Sequence, residues 1–196
     1  MLFRSPLEPC ALPPELAETK FIFNVLDLRC FNWTAEKLRK IYCMRMKVKM
    51  PSLDIIGMAF YPRPCFDLPI FAFDLSCTNK KVVSYINFVC VFNTEAYHKK
   101  YIDPLKPEYE KRRHFPYQNM RDWMQAYRNP CTVYSMPDRS CLDELKACVL
   151  AYLEVYLDLL AGAETTEDRD CRGRIEEFHS AYRNDLTTKD RSQIML

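Results

Sequence analysis

"YPRPCFDLPIFAFDLSC" (Tyr61–Cys77) is aromatic and apolar, yet it carries three prolines and two aspartates. Each proline removes a backbone donor, so none belongs in the middle of a central strand. The prolines Pro62, Pro64 and Pro69 therefore mark boundaries: a strand end, a corner, and re-entry into a second strand, Ile70–Cys77. In that strand Phe71 and Phe73 share one face, and Asp74 takes the other.

Neighbouring segments extend the same pattern. Leu53–Tyr61 is apolar on both faces, which suits a central strand. Upstream, Leu38–Met50 alternates, with Leu38, Tyr42, Met44, Met46 and Val48 opposite Arg39, Arg45, Lys47 and Lys49. Phe21–Phe31 alternates loosely. Downstream, Asn79–Lys81 reads as a hairpin turn into Val82–Phe92, the longest strand. Successive strands joined by short turns predict an antiparallel meander.

The period changes in the second half. Thr94–Arg113 is helical in part, broken by Pro104 and Pro107, and Asn119–Arg128 suits another helix. Pro130–Met136 reads as a short strand. Ser140 is placed to cap a long helix whose apolar positions Leu142, Leu145, Val149, Tyr152, Tyr156 and Leu159 form one stripe, with Gly162 as its stop. A last helix covers about Thr166–Tyr182, with Ile175, Phe178 and Tyr182 on one face. Residues 1–19 are Pro-rich and expected to be an irregular lead-in; residues 20–196 form a single domain.

Composition narrows the function. The 196 residues are 48% hydrophobic and 13% aromatic, a globular make-up. Only three glycines are present, and no phosphate-cradling GxGxxG or GxxxxGK[ST] run occurs. Ten cysteines lack CxxC spacing and fall mostly in apolar segments, so they read as reduced, core-filling thiols of an intracellular or organellar chain. No secretory signal is expected, because Met1–Pro14 lacks an apolar core. His98, His114 and His179 are scattered, so no metal site is expected. Ala147–Ala163 is interrupted by Glu154 and Asp158 and does not read as a membrane span. Net charge is only +2, but basic residues cluster at Lys37–Lys49 and Lys111–Arg113. These are either solvated strand and helix surfaces or a dock for an acidic protein. No nucleophile elbow or paired catalytic carboxylates are visible. The informative polar residues are Asp74, Asn87 within "SYINFVCVF", and Asp190 near the C-terminus.

The stretch "DIIGMAFYPRPCFDLPIFAFDLSC" resembles the signature of the ferredoxin-dependent bilin reductases. The similarity continues in "KLRKIYCMRMKVK" before it and in "MRDWMQAYRNPCTVYSMPD" after it. It extends to the C-terminal "YRNDLTTKDRSQIML", where Tyr182 precedes Asp190 by eight residues. The resemblance covers roughly Phe21–Leu196.

The resemblance implies an α/β fold: a three-layer α/β/α sandwich with a central antiparallel sheet. An open-chain tetrapyrrole of biliverdin type would lie between the sheet and the C-terminal helices. Electrons would come one at a time from ferredoxin, with no tightly bound cofactor, metal or flavin. By the same resemblance Asp190 is the catalytic proton donor, and Asn87, Val89, Phe71 and Phe73 contact the bilin. Ferredoxin would dock near Arg39, Arg45, Lys47 and Lys49, in a plastid stroma or a cyanobacterial cytoplasm. Asn184-Asp185 looks like the family's Asn-Asp pair, but its distance from Met195-Leu196 favours Asp190.

One departure divides the expectation. The family usually carries an aspartate on the longest strand, and here that slot falls near Phe88 or Val89, with Asn87 close by. An amide can hydrogen-bond a bilin but cannot supply a proton. An active reductase and a non-catalytic pigment-binding or structural subunit of a photosynthetic complex are both consistent with these residues.

Overall fold

The computed structural model describes residues 6–12, 18–21, 25–50, 52–115 and 117–189. Its sheet contains β1 (Glu8–Pro9), β2 (Glu18–Phe21), β3 (Leu26–Thr34), β4 (Leu38–Val48), β5 (Leu53–Pro62), β6 (Ile70–Thr78), β7 (Val82–Val89) and β8 (Val133–Ser135). The spatial order is β1-β3-β4-β5-β6-β7-β8, with β2 also on β3, and every pair is antiparallel. The meander read from the sequence is the body of the sheet. Two strand limits differ. Phe21 belongs to β2, paired with Leu26 of β3, so the lead-in supplies β1 and the start of β2. β7, expected to be the longest strand, stops at Val89 rather than Phe92, and β4 with 11 residues is longer.

The helices are α1 (Glu95–Tyr101), α2 (Lys106–Lys111), α3 (Asp122–Gln125), α4 (Leu142–Ala161) and α5 (Arg169–Thr188). Thr94 caps α1 by accepting the Tyr97 N–H. Asp168 caps α5 by accepting from Asp170 and Cys171. Ser140 does not cap α4, because a 3-10 turn (Arg139–Cys141) leads into the helix instead. Among the described residues no helix is long and apolar enough to cross a membrane.

The opening stretch is a corner tied to α1 and α4. The Phe66 N–H donates to the Arg63 carbonyl at 3.0 Å, and Asp67 accepts from Tyr101 Oη at 2.6 Å and Lys100 Nζ at 3.0 Å. Pro69 stands just before β6, where its carbonyl accepts from Tyr156 Oη at 3.2 Å.

One sheet face is filled by α4. Leu38, Ile41, Phe60, Phe71, Phe73, Ile86 and Phe88 pack on Leu145, Val149, Tyr152 and Tyr156. Phe71 is the hub, with ring centroids 5.6 Å from Phe60, 5.5 Å from Phe88 and 5.6 Å from Tyr156. The buried phenol of Tyr152 is satisfied by the Cys131 carbonyl at 2.7 Å. Burial also raises the core thiols, Cys90 and Cys148 each to about 12, so they pack as neutral groups.

Helix α4 ends at Gly162 as expected, but not through a left-handed turn, since φ there is −83°. Lys37 Nζ reaches over from the sheet and donates to the carbonyls of Leu160, Ala161 and Ala163 at 3.0, 3.1 and 2.8 Å. A cation at a helix C-terminus satisfies orphan carbonyls and opposes the dipole.

Among the described residues, α5 and α3 cover part of the other face. Tyr61, Ile70, Val89, Tyr127 and Tyr182 form a second apolar cluster there, with Trp123, Phe178 and Leu186 against it. The result is the three-layer α/β/α sandwich with a central antiparallel sheet.

Candidate functional site

Among the described residues, the part of the α5-facing sheet surface that no helix covers is a shallow basin. Alternation puts every second residue of each strand on this face. Register then sets Cys30, Met44, Gly57, Asp74, Tyr85 and Tyr134 in one row across six strands. The next row holds Asn32, Tyr42, Ala59, Ala72 and Asn87. Gly57, Ala59 and Ala72 keep the floor low. Tyr42 and Met44 rise on one side, and Asp74 and Tyr85 on the other. Tyr42, Met44, Ala59, Asp74 and Tyr85 are each half-buried, as a cradle open to a ligand requires. Three strand spacings of about 4.8 Å separate β4 from β7, a breadth of roughly 14 Å.

The polar groups of the basin are fixed by neighbours two residues along their own strands. Asp74 Oδ1 accepts from Ser76 Oγ at 2.7 Å. A β-carbon added at Gly57 would stand 3.1 Å from Asp74 Oδ2, so the glycine makes room for the carboxylate. Tyr85 Oη accepts from Asn87 Nδ2 at 2.9 Å. Burial pushes the Tyr85 phenol up to about 12, against the lowering effect of its hydrogen bonds with Asn87 and Tyr182.

Helix α5 is held over the far end of the basin. Arg39 Nη1 bonds both carboxylate oxygens of Glu176, at 2.9 and 2.8 Å. Tyr127 Oη donates to Asp185 at 2.9 Å, and Lys189 Nζ lies 2.8 Å from the same carboxylate. Those two partners, Lys189 first, hold the Asp185 carboxyl below the usual carboxylate range. His179 is fully buried in an edge contact with Tyr61, with no hydrogen-bond partner for either ring nitrogen among the described residues. Burial, reinforced by Arg39, lowers its pKa to about 4, so the ring is neutral.

The sequence-predicted site residues divide. Val89 lies on the α5 side, fully buried against Tyr61 and Tyr182. Phe71 and Phe73 do not face the basin: they point into the α4 core, where α4 leaves a ligand no room. Asn87 is on the correct face, yet its amide is spent. Nδ2 donates to Tyr85 Oη and to the Tyr127 carbonyl at 2.8 Å, and Oδ1 accepts from Asn129 Nδ2 at 2.7 Å and Thr132 Oγ1 at 2.8 Å. Four bonds exhaust an amide, so Asn87 does not hydrogen-bond a ligand directly. Asp190 lies outside the described residues.

The basic stretch is also split. A register shift between Leu38 and Lys40 turns Arg39 toward Glu176 on α5, and Lys37 is spent on α4. Arg45, Lys47 and Lys49 remain exposed, with Arg45 3.6 Å from Asp54.

Tyr42, Met44, Gly57, Ala59, Ala72 and Tyr85 escaped the sequence reading. The available signal was the small residues Gly57, Ala59 and Ala72, each alternating with a bulky neighbour, in "GMAF" and "FAFD".

Comparison with known proteins agrees with this architecture. The profile of the family described as ferredoxin-dependent bilin reductase matches residues 2–196. The phycocyanobilin:ferredoxin oxidoreductase of Gloeobacter violaceus is 26% identical over 192 residues, spanning 93% of this chain and 74% of that protein. The crystal structure of tomato phytochromobilin synthase in complex with biliverdin superposes with a TM-score of 0.87 at 18% identity. That match covers 95% of this chain and 68% of the other. With a family profile spanning nearly its whole length, the chain belongs to the ferredoxin-dependent bilin reductases.

Proposed function

We propose that this chain binds a biliverdin-type open-chain tetrapyrrole in the basin under α5 and reduces it with electrons from ferredoxin. The observation that carries the reading is the small-residue floor of Gly57, Ala59 and Ala72 with the Asp74 carboxylate at its edge. A flat conjugated ligand needs a low floor, aromatic and thioether walls, and an acceptor for pyrrole N–H groups. Each two-electron reduction takes one electron from each of two reduced ferredoxins and two protons from the protein. Asp190, by resemblance to the family, and Asp74, by its place in the basin, are the acids in this reading, since proton transfer from a positioned carboxyl group completes each reduction. Arg45, Lys47 and Lys49 offer the acidic ferredoxin a dock. The compartment is then a plastid stroma or a cyanobacterial cytoplasm, where ferredoxin is at hand.

One observation favours a second reading, a non-catalytic pigment-binding or structural subunit of a photosynthetic complex. The strand that in the family usually carries an aspartate has Asn87 here, sealed in its own bonds. Biliverdin mixed with the protein, followed by reduced ferredoxin without oxygen, separates the two. A spectral shift on mixing and then new product bands supports the reductase. A shift with no later change leaves a pigment binder. No shift removes the reductase and the pigment binder and leaves only the structural subunit.

A further inference from the structure

Tyr85 stands directly across from Asp74 in the basin, an antiparallel pair whose β-carbons lie about 4.5–5.5 Å apart. A tyrosine hydroxyl has one hydrogen to give and two lone pairs to receive. Asn87 decides how Tyr85 uses them. The amide of Asn87 cannot be turned over, because Oδ1 is needed by the donors Asn129 Nδ2 and Thr132 Oγ1, and Nδ2 by the Tyr127 carbonyl. Nδ2 therefore donates to Tyr85 Oη, and Tyr85 cannot donate back. The hydroxyl of Tyr182 is a second neighbour hydrogen-bonded to Tyr85. Apart from the Tyr182 hydroxyl, which can give or accept a hydrogen, Tyr85 has no acceptor for its own hydrogen among the described residues, and the side chain is half-buried on the face of the basin.

We infer that Tyr85 is a hydrogen-bond donor to the bound ligand, giving its O–H to a lactam carbonyl oxygen of the tetrapyrrole, with Asn87 as the positioning residue that keeps that O–H free. The inference rests on the tetrapyrrole reading of the basin. It places complementary groups side by side: the Asp74 carboxylate for pyrrole N–H groups and the Tyr85 hydroxyl for a carbonyl. It also gives Asn87 a reason to be an amide. An aspartate there would offer Tyr85 an acceptor and draw the hydrogen away from the ligand.

The test uses the full chain and biliverdin. Affinity is read from the visible absorbance on titration, and the lactam carbonyl stretch of the bound pigment from infrared difference spectra. Tyr85→Phe keeps the ring and leaves Asn87 Nδ2 bonded to the Tyr127 carbonyl, so the fold is retained. The variant is expected to bind about threefold to tenfold more weakly, the worth of one neutral hydrogen bond. Its lactam carbonyl stretch should move to higher frequency, a change that looser packing alone does not produce. Asn87→Asp, where it folds, should move the stretch the same way with Tyr85 still present. Wild-type affinity and an unmoved carbonyl stretch in Tyr85→Phe would overturn the assignment. Absence of any pigment binding by the wild type would instead remove the parent reading, and this one with it.

Discussion

Gly57 and Asp74 face each other across β5 and β6 so closely that a β-carbon at 57 would sit 3.1 Å from the Asp74 carboxylate. The contact is with the mobile end of a side chain, so Gly57→Ala is accommodated by moving the carboxylate rather than the strand. The cost to stability is expected to stay near 1 kcal/mol, the low end for overpacking. The cost to function is larger, because the displaced carboxylate occupies ligand space. A biliverdin titration of Gly57→Ala is expected to show clearly weaker binding with near wild-type urea stability. Unchanged affinity would separate Asp74 from the ligand.

Lys37 links the sheet to the end of α4 through three carbonyls. Lys37→Met keeps the aliphatic stem and removes the donors. A loss of about 1–3 kcal/mol is expected in urea unfolding, from charge-assisted bonds at a helix terminus. Because this lysine does not face the basin, biliverdin affinity should be unchanged in the same variant.

His179 makes stability depend on pH. Its pKa is about 4 in the fold against 6.5 unfolded, so the unfolded chain binds the extra proton between those values. The stability is fully present above pH 6.5 and is lost as pH falls toward 4, with a total on the order of 3 kcal/mol. The groups around the ring are Arg39 and Glu176 as a pair, Arg183, and Tyr61. In urea unfolding across this window, His179→Leu should give a flatter profile than wild type. Parallel profiles would show that another group carries the dependence.

Much of the fold was legible because it rests on local rules. The prolines at 62, 64 and 69 mark strand boundaries whatever surrounds them, and the three-and-four stepping from Leu142 to Tyr156 makes α4. What stayed hidden depends on contacts distant in the chain. Alternation shows that Phe71 and Phe73 share a face, but not that α4 rather than α5 lies over it. Asn87 reads as available until Tyr127, Asn129 and Thr132 fold against it. Arg39 reads as one of a basic row until the irregularity after Leu38 turns it toward Glu176.

The remaining basic residues carry a prediction of their own. If Arg45, Lys47 and Lys49 dock ferredoxin, Lys47→Glu with Lys49→Glu should raise the KM for ferredoxin while leaving pigment affinity unchanged. The defect should shrink as salt rises, since exposed charge pairs are screened. Steady-state turnover at low and high ionic strength checks this. In the same assay Asp190→Asn should slow turnover while pigment still binds.

The central claim is that the open face over Gly57, Ala59 and Ala72 holds the pigment. Visible circular dichroism tests it directly, because biliverdin gains a defined handedness only when a chiral site fixes its shape. We predict an induced visible band when biliverdin is added to the wild-type protein, and its loss in Ala59→Trp, where an indole fills the basin floor. No induced band with wild type, or an equal band in a folded Ala59→Trp variant, would contradict the placement of the ligand on this face.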